Sequence, residues 1–390
     1  MSLPANWREL AAIMGTATVV GVTISLTLPL LSLILEREGY GPFTIGVNSA
    51  ANGLGIFAVA PFMPRLTERL GAVGCFRLAL VVCAGVLLLF PLWIQPAWWF
   101  VLRFVFGCAA ATMFVLSEAA VNALIEEHLR GRVLAIYASL FSVGFAAGPA
   151  LLVVFGTEGW TPFLAAAGLF LLALLPTGLL AAVERNLEEQ GKAHGLKLTH
   201  IWHLAPLPLL GVFIYAFLES AHFALLPVYA LALGFGVRDA AGLLSIWLIG
   251  NVILQFPVGW LADRYPRRAV LAACAGVAGL GLLAMKAAGA ESWLYPVLVL
   301  AGGTMGSLYT LTLTLMGERF KGAELTVANT AFVMTFQMGA IAGPPVVGAA
   351  MTTVGEPSFP IVLLPAVLLL AGAAWRSLRS AQLAMAARNP

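Results

Sequence analysis

The sequence predicts an all-α membrane protein with twelve transmembrane helices in two six-helix, pseudo-symmetric bundles. Three observations lead there. The 390 residues are 61% hydrophobic and 10% charged, with mean hydropathy +0.95, against roughly 25% charged in a soluble domain. The apolar residues gather into stretches of about 20 or more, the length a helix needs to cross the hydrocarbon core. Finally, the acid-Arg turns Glu68-Arg69-Leu70-Gly71 and Asp263-Arg264-Tyr265-Pro266 lie 195 residues apart, half the chain, which marks a duplicated bundle.

The stretches follow in order. The first, 11–35, is uncharged, too long for a signal peptide and without a small-x-small cleavage site, so it is expected to remain as a helix. Spans at 43–64, 74–95, 97–124, 132–156 and 160–182 complete an amino-terminal bundle, residues 1–183. A charged cytoplasmic linker, 184–203, follows; it can join two bundles but cannot hold a domain. The carboxy-terminal bundle, 204–390, has spans at 204–233, 239–262, 268–289, 292–316, 323–351 and 357–378. The span at 239–262 has the length of a buried core helix, but its neighbours leave it no water-facing side.

Charge sets the direction of threading. With a cytoplasmic amino terminus, 17 of the 21 Lys and Arg fall in cytoplasmic segments. Arg37, Arg238 and Lys286 lie on the other side, and Arg103 lies within a span. This is the positive-inside asymmetry of a multi-pass protein of the bacterial inner membrane, with both termini cytoplasmic. The net charge of +3 is therefore topological and points to no nucleic-acid partner. The four cysteines, Cys75, Cys83, Cys108 and Cys274, have no paired spacing and read as packing residues. Trp93, Trp98, Trp99 and Trp293 sit at outer span ends and read as interface anchors.

The duplication reaches beyond the turns. Gly144-x-x-x-Gly148-Pro149 matches Gly339-x-x-x-Gly343-Pro344, and Gly107 matches Gly302, all at an offset of 195. Pro29 and Pro227 take similar places in the first and seventh spans. The Gly-x-x-x-Gly-Pro runs read as close-packing and bending devices.

These features resemble the major facilitator superfamily over essentially the whole chain. Its turn motif G-x-L-A-D-R-x-G-R-R/K is kept as Gly259-Trp260-Leu261-Ala262-Asp263-Arg264-Tyr265-Pro266-Arg267-Arg268. The copy Pro64-Arg65-Leu66-Thr67-Glu68-Arg69-Leu70-Gly71-Ala72 has lost the opening Gly, the Asp and the final Arg. Arg103-Phe104-Val105-x-Gly107 leading to Ser117-Glu118, and Arg130-Gly131-Arg132-Val133-Leu134-Ala135-Ile136-Tyr137, look most like the small bacterial YcaD-type branch. The resemblance implies a secondary transporter. It also implies a proton-coupling role for Arg103 four residues before Gly107, and a weak pointer to export from the first Gly-x-x-x-Gly-Pro run.

The residues themselves suggest where chemistry lies. A carboxylate at a helix terminus can pair with an Arg of its own loop and with a facing helix. Glu68, Arg69, Asp263, Arg264 and Arg268 are accordingly read as a cytoplasmic gate, with topology and capping as the plainer alternative. Ionisable groups at membrane depth are costly and face a bundle interior. Glu219 sits midway along the seventh span with His222 three residues on, on the same face. Desolvation favours the neutral form of each, so Glu219 is the first candidate for proton exchange, tuned by His222 and Arg103. A buried Glu–His lock between helices is the alternative. Arg103 and Glu118, about 22 Å apart along the axis, share a face of the fourth span. Snorkelling is the other reading of Arg103, and a gate ion pair with Arg69 or Arg130 the other reading of Glu118.

Amides are costly to bury unsatisfied. Asn48 and Asn52 on the second span, Trp247, Asn251 and Gln255 on the eighth, and Gln337 on the eleventh are read as cavity lining. The Thr and Ser stripes, Thr16, Thr23 and Thr27 with Ser307, Thr310 and Thr314, read as bonded back to their own helices.

The chain shows no His-Glu-x-x-His, Gly-x-Ser-x-Gly, Gly-Lys-Ser/Thr or Cys/His cluster. No enzyme chemistry, metal or cofactor is expected, and ATP-driven pumping by this chain alone is excluded. The expectation is alternating access by a monomer in membrane lipid, coupled to protons, with a small organic molecule as cargo. Glu219 and Glu118 suit a cationic or amphipathic compound. A proton symporter of a small organic acid centred on Arg103, and a transport-dead sensor or scaffold, are the alternatives.

Overall fold

Runs this apolar form helices because each backbone N–H and C=O must be paired within its own segment once water is excluded. The computed structural model describes residues 7–124, 130–179, 198–321 and 323–386. The amino-terminal helices are α1 (Trp7–Arg37), α2 (Pro42–Val59), α3 (Met63–Leu70), α4 (Ala72–Leu89), α5 (Pro96–Leu124), α6 (Arg130–Phe155) and α7 (Thr161–Leu172), the last followed by a 3₁₀ segment, Leu175–Leu179. Then come a short α8 (Leu198–Leu204), α9 (Pro206–Ala232), α10 (Val237–Arg264), α11 (Arg267–Ala288), α12 (Leu294–Arg319), α13 (Ala323–Val354) and α14 (Phe359–Ala386).

Among the described residues, eleven helical spans are long and apolar enough to cross a membrane. A shorter apolar helix, Ser139–Phe155 within α6, stands at the place of the fifth expected span. Most of the expected linker, residues 184–197, lies outside the described residues.

The acid-Arg turns are a correction. They were expected in breaks between spans, but helix runs through both acid-Arg pairs. A 3₁₀ turn at Ala60–Phe62 joins α2 to α3, and Glu68 and Arg69 close α3. Gly71, at φ 71°, ends it by donating its N–H to the Thr67 carbonyl. Asp263 and Arg264 likewise form the last turn of α10, ended at Tyr265 before Pro266. A polar helix end leaving the bilayer keeps its backbone bonds, so the helix need not stop where the apolar run does.

The chain divides into two compact units, Met1–Tyr40 with Val47–Lys192, and Gly41–Gly46 with Ala193–Pro390. The duplication holds at the level of backbone contacts in each. In the first, a Cβ added at Gly55 would lie 2.1 Å from the Phe104 carbonyl oxygen, and one at Gly107 2.1 Å from that of Asn52. In the second, Gly250 stands 2.1 Å from the Val299 oxygen and Gly302 2.0 Å from that of Trp247, measured the same way. Every partner is displaced by 195 residues. The same holds for α1 against α6, with Gly144 on Thr18 and Gly148 on Val22, and for α9 against α13, with Gly339 on Phe213 and Gly343 on Phe217. Small residues let the helix axes approach until backbone meets backbone. Gly-x-x-x-Gly-Pro is therefore a packing device in both units.

Two further ties join α4 to the 3₁₀ segment after α7, and α11 to α14. Arg77 donates through Nε to Thr177 Oγ1 (3.0 Å) and through Nη2 to the Thr177 carbonyl (3.1 Å). Arg268 donates to the Ser377 carbonyl (3.2 Å). The hydroxyl stripes behave as expected: Thr16, Thr23, Thr27, Ser307 and Thr314 bond to carbonyls four residues back. Trp99 corrects the anchor reading. It is fully buried, and its Nε1 donates to the Phe90 and Trp93 carbonyls (both 3.1 Å). The indole thus ties α5 to the 3₁₀ turn and loop that precede it, where the Trp93 carbonyl also accepts from the Gln95 N–H (3.1 Å).

Candidate transport site

Within the second unit, α9 carries the candidate site. Tyr215 and Glu219 are one turn apart, and the Tyr215 hydroxyl donates to Glu219 Oε1. Tyr215 packs against Tyr309 of α12 (centroids 5.4 Å apart) and Phe336 of α13 (6.0 Å). Asn251 of α10 lies within reach of the same hydroxyl, and its Oδ1 accepts from Gln255 Nε2 (3.2 Å). The Asn251 side chain fits there because position 306 is glycine: a Cβ at Gly306 would lie 2.0 Å from that oxygen. Half-buried Glu219 is thus bonded to Tyr215, and a second bonded pair, Asn251 with exposed Gln255, stands on α10 close to the Tyr215 hydroxyl. No cation is paired with Glu219 among the described residues.

His222 does not join this path. It is wholly buried, and its Nδ1 donates to the Leu218 carbonyl (2.7 Å). The ring lies flat on Trp247 (4.9 Å, 13°) and edge-on to Phe359 (5.1 Å, 77°). It makes no hydrogen bond with Glu219. His222 Nε2 and Trp247 Nε1 are both buried without a partner among the described residues. Trp247 is fully buried beneath His222, whereas Gln337 on α13 is half-buried.

In the first unit, the glycine contacts between α2 and α5 set Arg103 against α2. Arg103 is 2% exposed and donates from Nη1 to Ser49 Oγ (2.9 Å). It turns into the helix pair rather than snorkelling to a helix end. Asn48, also 2% exposed, donates from Nδ2 to the Pro96 carbonyl (2.8 Å). Asn48 Oδ1, Asn52 Oδ1, and Nε and Nη2 of Arg103 are buried without partners among the described residues. Glu118 is exposed on α5, close enough to Tyr137 to interact electrostatically. Tyr137 itself shares a hydrogen bond with Ser117 (2.8 Å).

The acid-Arg ends are less closed than expected. Asp263 and Arg264 do not pair: consecutive helical residues point in different directions, and Arg264 lies over the Trp260 ring, 3.8 Å from its centroid. Glu68, Arg69 and Asp263 are exposed and make no ion pair among the described residues. Among the described residues the ion pair at this end belongs instead to Arg267 and Glu318, which join the start of α11 to the end of α12. Both side chains reach solvent, so the pair is worth less than ~1 kcal/mol. A double-mutant cycle with Arg267→Ala and Glu318→Ala, read by thermal unfolding in detergent, is expected to give a coupling no larger than that.

Tyr215 and Ser49 escaped the sequence reading. Tyr215 stands at i−4 from Glu219, a spacing that would have found it. Ser49 carries no such signal, because Arg103 reaches it only through the α2–α5 contact.

Known proteins place these features in a family. The Major Facilitator Superfamily matches residues 13–249 and, again, 209–386. The chain is 30% identical over 354 residues to the uncharacterized MFS-type transporter YfkF of Bacillus subtilis (strain 168), covering 86% of this chain and 87% of that one. It is 26% identical over 346 residues, with the same coverage, to the uncharacterized MFS-type transporter YcaD of Escherichia coli (strain SMS-3-5 / SECEC). Among solved structures, the nucleoside transporter NupG aligns with TM-score 0.79 at 14% identity, over 94% of this chain and 98% of that one. A bacterial homolog of the human lysosomal transporter Spinster aligns with TM-score 0.71 at 14% identity, over 96% and 95%. Helices, internal repeat, family match and relatives agree: the chain belongs to the Major Facilitator Superfamily.

Proposed function

We propose that the chain is a secondary active transporter of a bacterial inner membrane that moves a small organic molecule by alternating access, coupled to protons through Glu219. Export of a cationic or amphipathic compound is the favoured direction and cargo. The observation that carries this reading is the carboxyl of half-buried Glu219, which has a hydroxyl donor in Tyr215 and no cationic partner among the described residues. A carboxyl in that setting can exist with or without its proton, and the change of charge biases a two-state bundle. The 17 Lys and Arg counted for one face support cytoplasmic termini. The reading takes the chain to work as a monomer, with residues 1–183 and 204–390 as its two bundles. Glu68, Arg69, Asp263, Arg264 and Arg268 are taken to act at the cytoplasmic end, where exposed Glu68, Arg69 and Asp263 are placed to pair when that end closes, while Arg264 would leave the Trp260 ring and Arg268 the Ser377 carbonyl.

The test uses proteoliposomes holding an internal pH dye, challenged with a panel of organic cations under opposite imposed gradients. A compound that moves protons is expected, and the sign of the flux separates antiport from symport. Movement of a compound with no proton flux under either gradient would replace coupling by facilitated diffusion. Binding without movement would favour a sensor.

A further inference from the structure

We propose that Arg103, Ser49, Asn48 and Asn52 form a subsite in the first unit for a small carboxylate carrying a neighbouring hydroxyl or ammonium group. The guanidinium is anchored at one nitrogen, Nη1, by Ser49. The two donors left without partners, Nε and Nη2, lie along a single edge of the guanidinium plane. That edge presents two parallel N–H groups, the spacing a carboxylate accepts with both oxygens. Arg103 is 2% exposed, and no carboxylate among the described residues acts on it. A buried, unpaired cation costs several kcal/mol. Water would satisfy its N–H groups but leave its charge uncompensated, whereas an anion meets both needs.

The other two orphans define the rest of the ligand. Asn48 is fixed by its Nδ2 bond to Pro96, so the atom it leaves free is an acceptor. Asn52 sits one turn further along α2, its backbone at the level of Gly107 on α5, and its Oδ1 is likewise buried without a partner among the described residues. Two buried acceptors on α2, one and three residues from the serine that holds Arg103, call for donors on the same molecule, as in a 2-hydroxy or 2-amino acid.

The scaffold does not require these polar groups. The positions 195 residues on are Leu243, Leu244, Trp247 and Leu298, all apolar, and α10 and α12 meet there through the same glycine-to-carbonyl contacts. The polar set is thus an addition to a helix pair that packs without it. This inference does not depend on coupling through Glu219.

The full-length protein, purified in detergent, would be unfolded thermally with added sodium lactate, alanine, acetate, chloride or nitrate at matched ionic strength. Lactate and alanine are expected to raise the midpoint saturably, acetate less, and the inorganic anions not at all. Arg103→Gln is expected to remove the lactate shift. Ser49→Ala, which keeps the charge but frees the guanidinium, should raise the half-saturating concentration about tenfold. If Arg103→Gln does not fold, Ser49→Ala decides. An equal shift with chloride or nitrate, no lactate or alanine shift in the wild type, or one unchanged in the variants would overturn the proposal. Glu219→Gln should leave the lactate shift intact, so failure of the proton-coupling reading and failure of this subsite are separately visible.

Discussion

Glu219→Gln is expected to abolish gradient-driven proton movement in reconstituted vesicles while leaving the protein folded. The amide keeps the shape of the carboxyl and an oxygen for the Tyr215 hydroxyl, so packing against Tyr309 and Phe336 should persist. What it loses is the capacity to exchange a proton. A fall in coupled flux of ~tenfold or more is expected, a tenfold change in rate corresponding to about 1.4 kcal/mol. Glu219→Asp should fall between, because it retains the acid but is one methylene short of the hydroxyl. Both are read with the same internal dye, with thermal unfolding as the check on folding. Wild-type flux in Glu219→Gln would leave the carboxyl a structural role and remove the basis for coupling at this site.

Gly302→Leu is expected to prevent accumulation of folded protein, and Gly107→Leu likewise. Ordinary overpacking of a core costs about 1–3 kcal/mol because neighbouring side chains can shift. Here the obstacle is main chain: a Cβ at Gly302 would lie 2.0 Å from the Trp247 carbonyl oxygen and one at Gly107 2.1 Å from that of Asn52. The helices would have to separate, taking α10 from α12 or α2 from α5. Gly85→Leu is the control, since nothing lies within 4 Å of the added atom. The measurement is the monodisperse fraction after detergent extraction. A Gly302→Leu protein as well behaved as Gly85→Leu would show that these helix pairs tolerate a wider spacing.

Much of this scaffold could be read from residues alone because it depends on properties that sequence displays directly. Apolar length gives spans, and a repeated small residue gives a contact. The offset that relates Gly107 to Gly302 in the sequence also relates their contact partners, the carbonyls of Asn52 and Trp247. The site was less legible because side-chain direction depends on which neighbour a helix meets. The helical spacing of Glu219 and His222 suggested a pair. Yet Leu218 offered His222 a carbonyl and Trp247 a flat ring, while Tyr215 took the carboxyl. Arg103 showed the same limit: charge in a span signalled significance, but its contact with Ser49 requires the α2–α5 packing. The acid-Arg turns misled for another reason, since loss of hydropathy marks where a helix leaves lipid and not where it ends.

The glycine contacts also have a mechanical consequence. Two helices laced backbone to backbone at successive turns bend as one beam, since neither can curve without shearing the other. In α1 with α6 the lacing points are Gly144 and Gly148; in α9 with α13 they are Gly339 and Gly343. Each set ends at a proline, Pro149 or Pro344, where a missing backbone donor makes the helix compliant. Stiffness and compliance therefore abut along the same helix, and flexure is focused just past the last laced turn. Glu219 lies on α9 two residues beyond Phe217, the partner of Gly343. A carboxyl at the root of a flexing beam can alter the tilt of everything beyond it by a small local change, as a load placed next to a hinge.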